Sequence, residues 1–382
     1  MKTKKFTIKF LFYLVLFSSV SVFPRTKLTT LPERNNVRID IQDEKYTLVE
    51  EERKINLLKG KNHIEFAWAN TGIQMDSIQF RPANQNGETK VLNVNFPPEG
   101  SALFWEVYSP ASGPESFRIS YLISNLNKQI SHEARVDSSE KFLSLMTYYT
   151  LSNQTGERFV NASLESGIGL PIKRDIDFNE SRKILAHKTN NLNFEKVYRF
   201  DSEQYGKNVR LYYKVENKNN KEPKPISAGK VRIYMDNPSG EEAFLGEDWA
   251  EHTAYNSDLE LFLGEAQEVK VERAIIQEKE KKVKGPVSDY ARTYRFKIEN
   301  YRKESTKLII QEHLSGEWEI EEIELKEESG ERAALSEKAI SYSQKIKVLK
   351  KDIENLEIMA NVPVTGDKKW NLYVTVNMKN RW

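Results

Sequence analysis

The sequence predicts an all-β protein made of antiparallel β-sandwich modules, with an immunoglobulin-like sandwich at its C-terminal end. Three observations predict this. Apolar and polar residues alternate in one segment after another, turn residues recur between those segments, and 38% hydrophobic with 11% aromatic residues in a chain of 382 supplies more than one core.

The first 24 residues stand apart. Lys2, Lys4, Lys5 and Lys9 lead into an apolar run from Phe10 to Phe17, and small residues continue it to Phe23. This is the layout of a secretory signal peptide, and the run is shorter than the roughly 20 residues that cross a bilayer. The competing reading is an uncleaved N-terminal anchor. Losing those four lysines moves the formal charge from +2 to about −2, which leaves no global attraction for nucleic acid or anionic membranes. The chain has no cysteine, which excludes disulfides, thiolate metal sites, a cysteine nucleophile and a lipid-modified cysteine. The expectation is an exported protein, periplasmic or extracellular, that is not a lipoprotein and has no stable membrane span after cleavage.

The strands follow in order. "HIEFAW" sets Ile64, Phe66 and Trp68 on one face against His63 and Glu65, and "FRISYLI" sets Phe117, Ile119, Tyr121 and Ile123 against Arg118 and Ser120. "NVRLYYKVEN" points Val209, Leu211, Tyr213 and Val215 inward. "YRFKIEN" does the same with Tyr294, Phe296 and Ile298, and "LYVTVNM" with Leu372, Val374, Val376 and Met378. Asn86-Gly87, Ser112-Gly113-Pro114, Thr155-Gly156 and Pro238-Ser239-Gly240 are among the turns between them. Residues 171–196 are polar and lack sustained alternation, so they read as a linker or a long crossing loop. Leu335, Ala339, Tyr342, Ile346, Leu349, Ile353 and Leu356 fall at heptad spacing, which places a helix or loop within residues 336–350, before a strand from about Leu356.

No strong catalytic signature is present: no phosphate-binding glycine loop, no G-x-S-x-G elbow, no H-E-x-x-H and no EF-hand pattern. The five histidines, His63, His132, His187, His252 and His313, are scattered singly, whereas a metal site or triad needs convergent groups. His252, near Glu247, Asp248 and Glu251, is the most interesting, since a carboxylate beside an imidazole serves acid/base or metal chemistry. Loosely paired surface residues are the favoured reading there, and an ordinary strand-end histidine is favoured for His313 beside Glu312. The basic "KEKKVKGP" reads as a charged hairpin end. The six tryptophans, Trp68, Trp105, Trp249, Trp318, Trp370 and Trp382, are weighed between a sugar-stacking face and the more common role of anchoring sandwich cores, and Trp68 and Trp318, in register with aliphatic neighbours, read as core. "FLGE" occurs at Phe244 and again at Phe262, and its glycines are expected at strand ends or bulges. No catalytic, cofactor-binding or metal-binding residue is assigned, and no cofactor is expected.

The segment "SAGKVRIYMDNPSGEEAFLGEDWAEHTAYNSDLELFLGEAQEVKVER" resembles the mucoidy-inhibitor A-like family, a domain of unknown function. Gly229, Tyr234, Phe244, Gly246, Glu247, Asp248, Gly264, Val271, Glu272 and Arg273 carry the likeness, and Glu312, His313 and Trp318 extend it. It is strong from about Ser227 to Met378, moderate from Phe117 to Gly167 and weak earlier. Larger relatives place a long coiled coil after the N-terminal module. No sustained heptads precede Phe117 here, so the chain resembles a shortened form. Lys128 stands where relatives have an aromatic residue. The resemblance implies a β-rich fold and no reaction.

The expected organisation is a signal peptide at residues 1–24, an N-terminal β module at 25–115, the first part of the family-like β region at 116–170, a linker or crossing loop at 171–200, and the C-terminal family-like sandwich region at 201–382. The expected function is that of an exported, non-enzymatic protein of the cell envelope, binding or structural, whose partner is a protein or polysaccharide and not a nucleic acid. The alternative is a carboxylate-dependent hydrolase acting on envelope glycans, which needs two carboxylates facing a cleft.

Overall fold

The computed structural model describes residues 27–381 except 44, 69, 85–86, 98–99, 168–170, 218–224, 238, 315, 328–331, 337–344 and 366–368. The signal segment and Trp382 therefore lie outside the described residues. The chain divides into two compact units, the first comprising the residues up to Ile39 and Leu48–Ile123, the second Asp40–Thr47 and Ser124–Trp382.

Unit 1 contains β1 (Lys27–Thr30), β2 (Asn36–Asp40), β3 (Thr47–Leu57), β4 (Gly60–Ala67), β5 (Gln79–Pro82), β6 (Lys90–Asn95), β7 (Ala102–Ser109) and β8 (Gly113–Ile123). They form one layer in the order β1-β4-β7-β6 and another in the order β2-β3-β8-β5. Alternation in "HIEFAW" and "FRISYLI" buries the expected faces, and rings from both layers meet: Phe80 stacks on Trp105 at 4.2 Å and on Phe117 at 4.6 Å. The buried acid Glu51 is met by Arg34 at 2.7 Å and Arg53 at 2.6 Å, so its charge is not left bare.

Unit 2 continues with β9 (Leu126–Val136), β10 (Phe142–Asn153), β11 (Phe159–Glu165), β12 (Ile172–Ile176) and the 22-residue β13 (Glu180–Asp201). The expected linker at residues 171–200 is thus two strands. It escaped the alternation test because the β10–β13 ladder shifts register at two points and Asn191 adopts φ 57°, so its residues change face along the strand. After the one-turn helix α1 (Ser202–Tyr205) come β14 (Val209–Val215), β15 (Gly229–Asp236), β16 (Glu242–Ala250), β17 (Leu259–Glu265), β18 (Val269–Lys284) and β19 (Val287–Asn300). The chain ends with β20 (Thr306–His313), β21 (Glu317–Glu327), β22 (Arg332–Ser336), β23 (Ile346–Lys351), β24 (Asn355–Val362) and β25 (Trp370–Arg381).

Two cores result. In the first, neighbours run β16-β15-β9-β10-β13-β14-β17 around Val136, Leu143, Leu192, Tyr213, Ile233 and Leu261. The second is a sandwich of β13, β20, β24 and β23 against β18-β19-β25-β21-β22, filled by Phe200, Phe296, Leu308, Ile358 and Leu372 among others. Trp68 and Trp318 are buried, as alternation predicts, and Trp318 donates its indole N–H to the Ile353 carbonyl at 3.2 Å. The helix or loop expected within residues 336–350 gives way to strand at its described ends. Ile346 is buried and Val348 packs beside it, so period-two packing overrides the heptad spacing; residues 337–344 lie outside the described residues.

The repeated "FLGE" marks where β16 meets β17. Gly246 and Gly264 both sit at register shifts, the first in the β15–β16 ladder and the second, at φ 135°, in the β14–β17 ladder. A Cβ on Gly246 would stand 3.3 Å from the Leu263 carbonyl oxygen, and Asp248 accepts the Phe262 backbone N–H at 2.6 Å. Asp248→Ala is expected to lower the unfolding free energy by about 1–3 kcal/mol, because the lost acceptor is charged. Gly246→Val should also destabilise, since the atom it meets is backbone and cannot rotate away. Urea unfolding of both variants measures this, and unchanged midpoints would contradict the account.

Candidate binding face

β13 ends on Asp201, which caps α1. Its Oδ1 accepts the backbone N–H groups of Glu203 and Gln204, each at 3.0 Å. The carboxylate is 1% exposed, and its Oδ2 lies 2.9 Å from His313 Nε2. Burial opposes a charge on His313, but the hydrogen bond and attraction from Asp201 outweigh it and raise the imidazole above its ordinary pKa. The preceding residue on β20, Glu312, is buried and received by Arg273 of β18 through two N–H donors, one at 2.8 Å. Desolvation raises its pKa, with Arg273 pulling the other way. Arg273 in turn lies over the Tyr294 ring, 4.8 Å from its centroid.

Two residues back from Asp201, Arg199 stands directly opposite Arg210 of β14. Like charges in a cross-strand pair repel, so each needs relief. Arg199 finds Glu260 at 3.2 Å and Glu357 at 3.7 Å. Arg210 instead lies over aromatic rings, 3.6 Å from the centroid of Tyr205 and 5.0 Å from that of Phe262. No carboxylate pairs with it among the described residues, and Glu265, its opposite number on β17, accepts from the Asn208 side chain at 2.7 Å. Tyr212 completes the patch, 5.4 Å from Phe262 with Arg199 over its ring.

His252, the residue the acid-rich stretch singles out, is exposed in the loop after β16 and forms no ion pair among the described residues. Its acids turn elsewhere. Glu247 pairs with Lys230 at 2.7 Å and Arg232 at 3.0 Å, and Asp248 holds the β17 backbone. His132 is buried, bonded to Thr147 and the Ser227 carbonyl at 3.0 Å each, and burial lowers its pKa. His63 sits 3.6 Å from Glu106, and His187 lies 3.0 Å from Thr189. Besides Glu312, Glu322 has a raised pKa, from desolvation and its neighbour Glu324, but it sits at an exposed position of β21.

The structure thus joins His313 to Asp201, a partner the sequence did not suggest, and adds Arg199, Tyr205, Arg210 and Tyr212, which it did not flag. The outward set of "NVRLYYKVEN", Arg210, Tyr212 and Lys214, was the available signal. No protein-family model matches the chain, and no curated protein matches it.

The sign of the His313 effect is fixed by its raised pKa. Below about pH 6.5 the imidazolium is present folded or unfolded and its pair with Asp201 contributes fully; as pH rises through the folded value the contribution is lost. His313→Gln is therefore expected to destabilise more at about pH 5.5 than at about pH 9, read by urea unfolding of both proteins at each pH. A difference independent of pH would count against the ion pair.

Proposed function

We propose that the protein is an exported, non-enzymatic binding module of the cell envelope, and that the outer face of β13, β14 and β17 is where its partner sits. The observation that carries this is Arg210, whose guanidinium lies over the rings of Tyr205 and Phe262 and forms no ion pair with a carboxylate among the described residues. A binding reading also accounts for the acids around it. Asp201 is engaged by His313 and by α1, and Glu260 and Glu357 by Arg199, so these carboxylates orient cations on the face. Export follows from the lysine-led apolar start of the chain. The motif likeness in residues 227–273 further suggests kinship with the mucoidy-inhibitor A-like family in a shortened form.

Purified protein is expected to sediment with native envelopes, and Arg210→Glu to remain in the supernatant while keeping its melting temperature. Hydrolysis of an envelope glycan by the purified protein, abolished by replacing one acidic pair, would establish the carboxylate-dependent hydrolase in its place.

A further inference from the structure

We propose that the outer face of the sheet β18-β19-β25-β21 is a self-docking surface, on which a second copy of this chain packs about a two-fold axis lying along the strands. This surface is separate from the face of β13, β14 and β17 and does not depend on it.

Alternation sorts the charges. On β25 Val376 and Met378 are buried, so Thr375, Asn377 and Lys379 point to the outer face. The ladders carry that face across the sheet: one row runs Lys279, Ala291, Asn377, Glu319, and the next Gln277, Thr293, Thr375, Glu322. Within the run Glu278-Lys279-Glu280-Lys281 of β18, the lysines are therefore outward. The glutamates turn the other way, Glu278 to Arg292 and Glu280 to the Ser288 hydroxyl, each at 2.6 Å. On β21 Trp318, Ile320 and Ile323 are buried, which leaves Glu317, Glu319 and Glu322 outward and exposed.

The two margins carry opposite net charge. Lys279, Lys281 and Lys284 stand against one acid, Asp289 opposite Lys281, a balance of two positive charges. Glu317, Glu319 and Glu322 stand against one cation, Lys379, which pairs with Glu319 at 3.3 Å, a balance of two negative charges. Lysines on an edge strand such as β18 also keep it from pairing with another edge. That reason does not reach β21, which lies between β22 and β25 and still carries its row of glutamates. Like charges along one face repel, and desolvation together with the neighbouring Glu324 raises the pKa of Glu322.

Symmetry turns this segregation into a fit. An axis along the strands lays the β18 lysines of each copy over the β21 glutamates of the other, so the attraction occurs twice. An axis across the strands would set lysine over lysine. Between the margins stand the short side chains of Ala291, Thr293, Thr375 and Asn377, with the two threonine hydroxyls 3.1 Å apart, so two sheets can close to the usual distance of about 10 Å. Towards the other end acids and bases alternate, Glu272 opposite Lys297 and Glu299 bonded to Lys369 at 2.7 Å, so the contact belongs to the half nearest the β18–β19 turn. Three rows on four strands cover roughly 400 Å² per copy, less than a standard stable interface buries. The dimer is therefore weak and held by charge, which salt screens.

Sedimentation equilibrium of the purified protein at about 20 mM and about 0.5 M salt tests this. A dimer is expected at low salt and a monomer at high salt. The double variants Lys279→Glu/Lys281→Glu and Glu317→Lys/Glu319→Lys should each raise the dissociation constant by about tenfold or more. An equimolar mixture of the two variants should dimerise as the unaltered protein does, because every reversed margin then meets its opposite charge. Circular dichroism melts check that both variants fold. A monomer at low salt, a dimer equally stable at high salt, a dimer unchanged in either variant, or no recovery on mixing would each overturn the proposal, the first by leaving the face to solvent or to a different partner.

Discussion

The second unit depends on one strand that serves two cores. β13 runs antiparallel to β10 through its first two thirds, then lies between β14 and a parallel β20. Leu192 fills the first core and Phe200 the second. A continuous strand transmits its twist and register along its length, so neither core can slip by one residue without turning the other's apolar side chains to solvent. The parallel β13–β20 pair follows from this. The chain must leave the first core and travel through β14 to β19 before it returns beside the same strand.

That shared register also creates the charged face. Once Phe200 is inward, Arg199 points to the other face, and the ladder brings Arg210 opposite it. The fold relieves the repulsion asymmetrically, giving carboxylates to one arginine and rings to the other. Two asparagines close strand ends by a common device. Asn153 reaches the carbonyls of Glu157 and Asp177, and Asn300 those of Glu304 and Val362, each with its Oδ1 receiving the backbone N–H two residues on. Both are wholly buried, where an amide satisfied on both sides fixes a corner that an apolar residue could not.

Strands with one dry face were legible because burial enforces a period of two; Val374, Val376 and Met378 are buried as their spacing requires. β13 was not, because its bulges break the period and much of its first half is solvated. Ile346 and Leu356 fit a heptad and a pair of strands equally well, and only pairing with β20 and packing across the sandwich distinguish them. The acids around His252 illustrate the opposite failure, in which neighbours in sequence alternate across a strand and leave one another. Of the charged face only the outward set of β14 was visible in the sequence, since Asp201 and His313 are 112 residues apart and Arg199 meets Arg210 only through the ladder.

The His313–Asp201 pair has the form of a base and its orienting acid, yet its connections lead to position and not to proton transfer. Asp201 divides its oxygens between the imidazole and the first turn of α1. That turn is four residues long and cannot hold itself by its own hydrogen bonds, so the cap fixes it. Tyr205, the last residue of the turn, is thereby placed over Arg210, its ring centroid 3.6 Å from the guanidinium carbon. Removing His313 would loosen the cap before it altered any reacting atom. His313 is thus linked through Asp201, α1 and Tyr205 to Arg210, which has no carboxylate partner among the described residues.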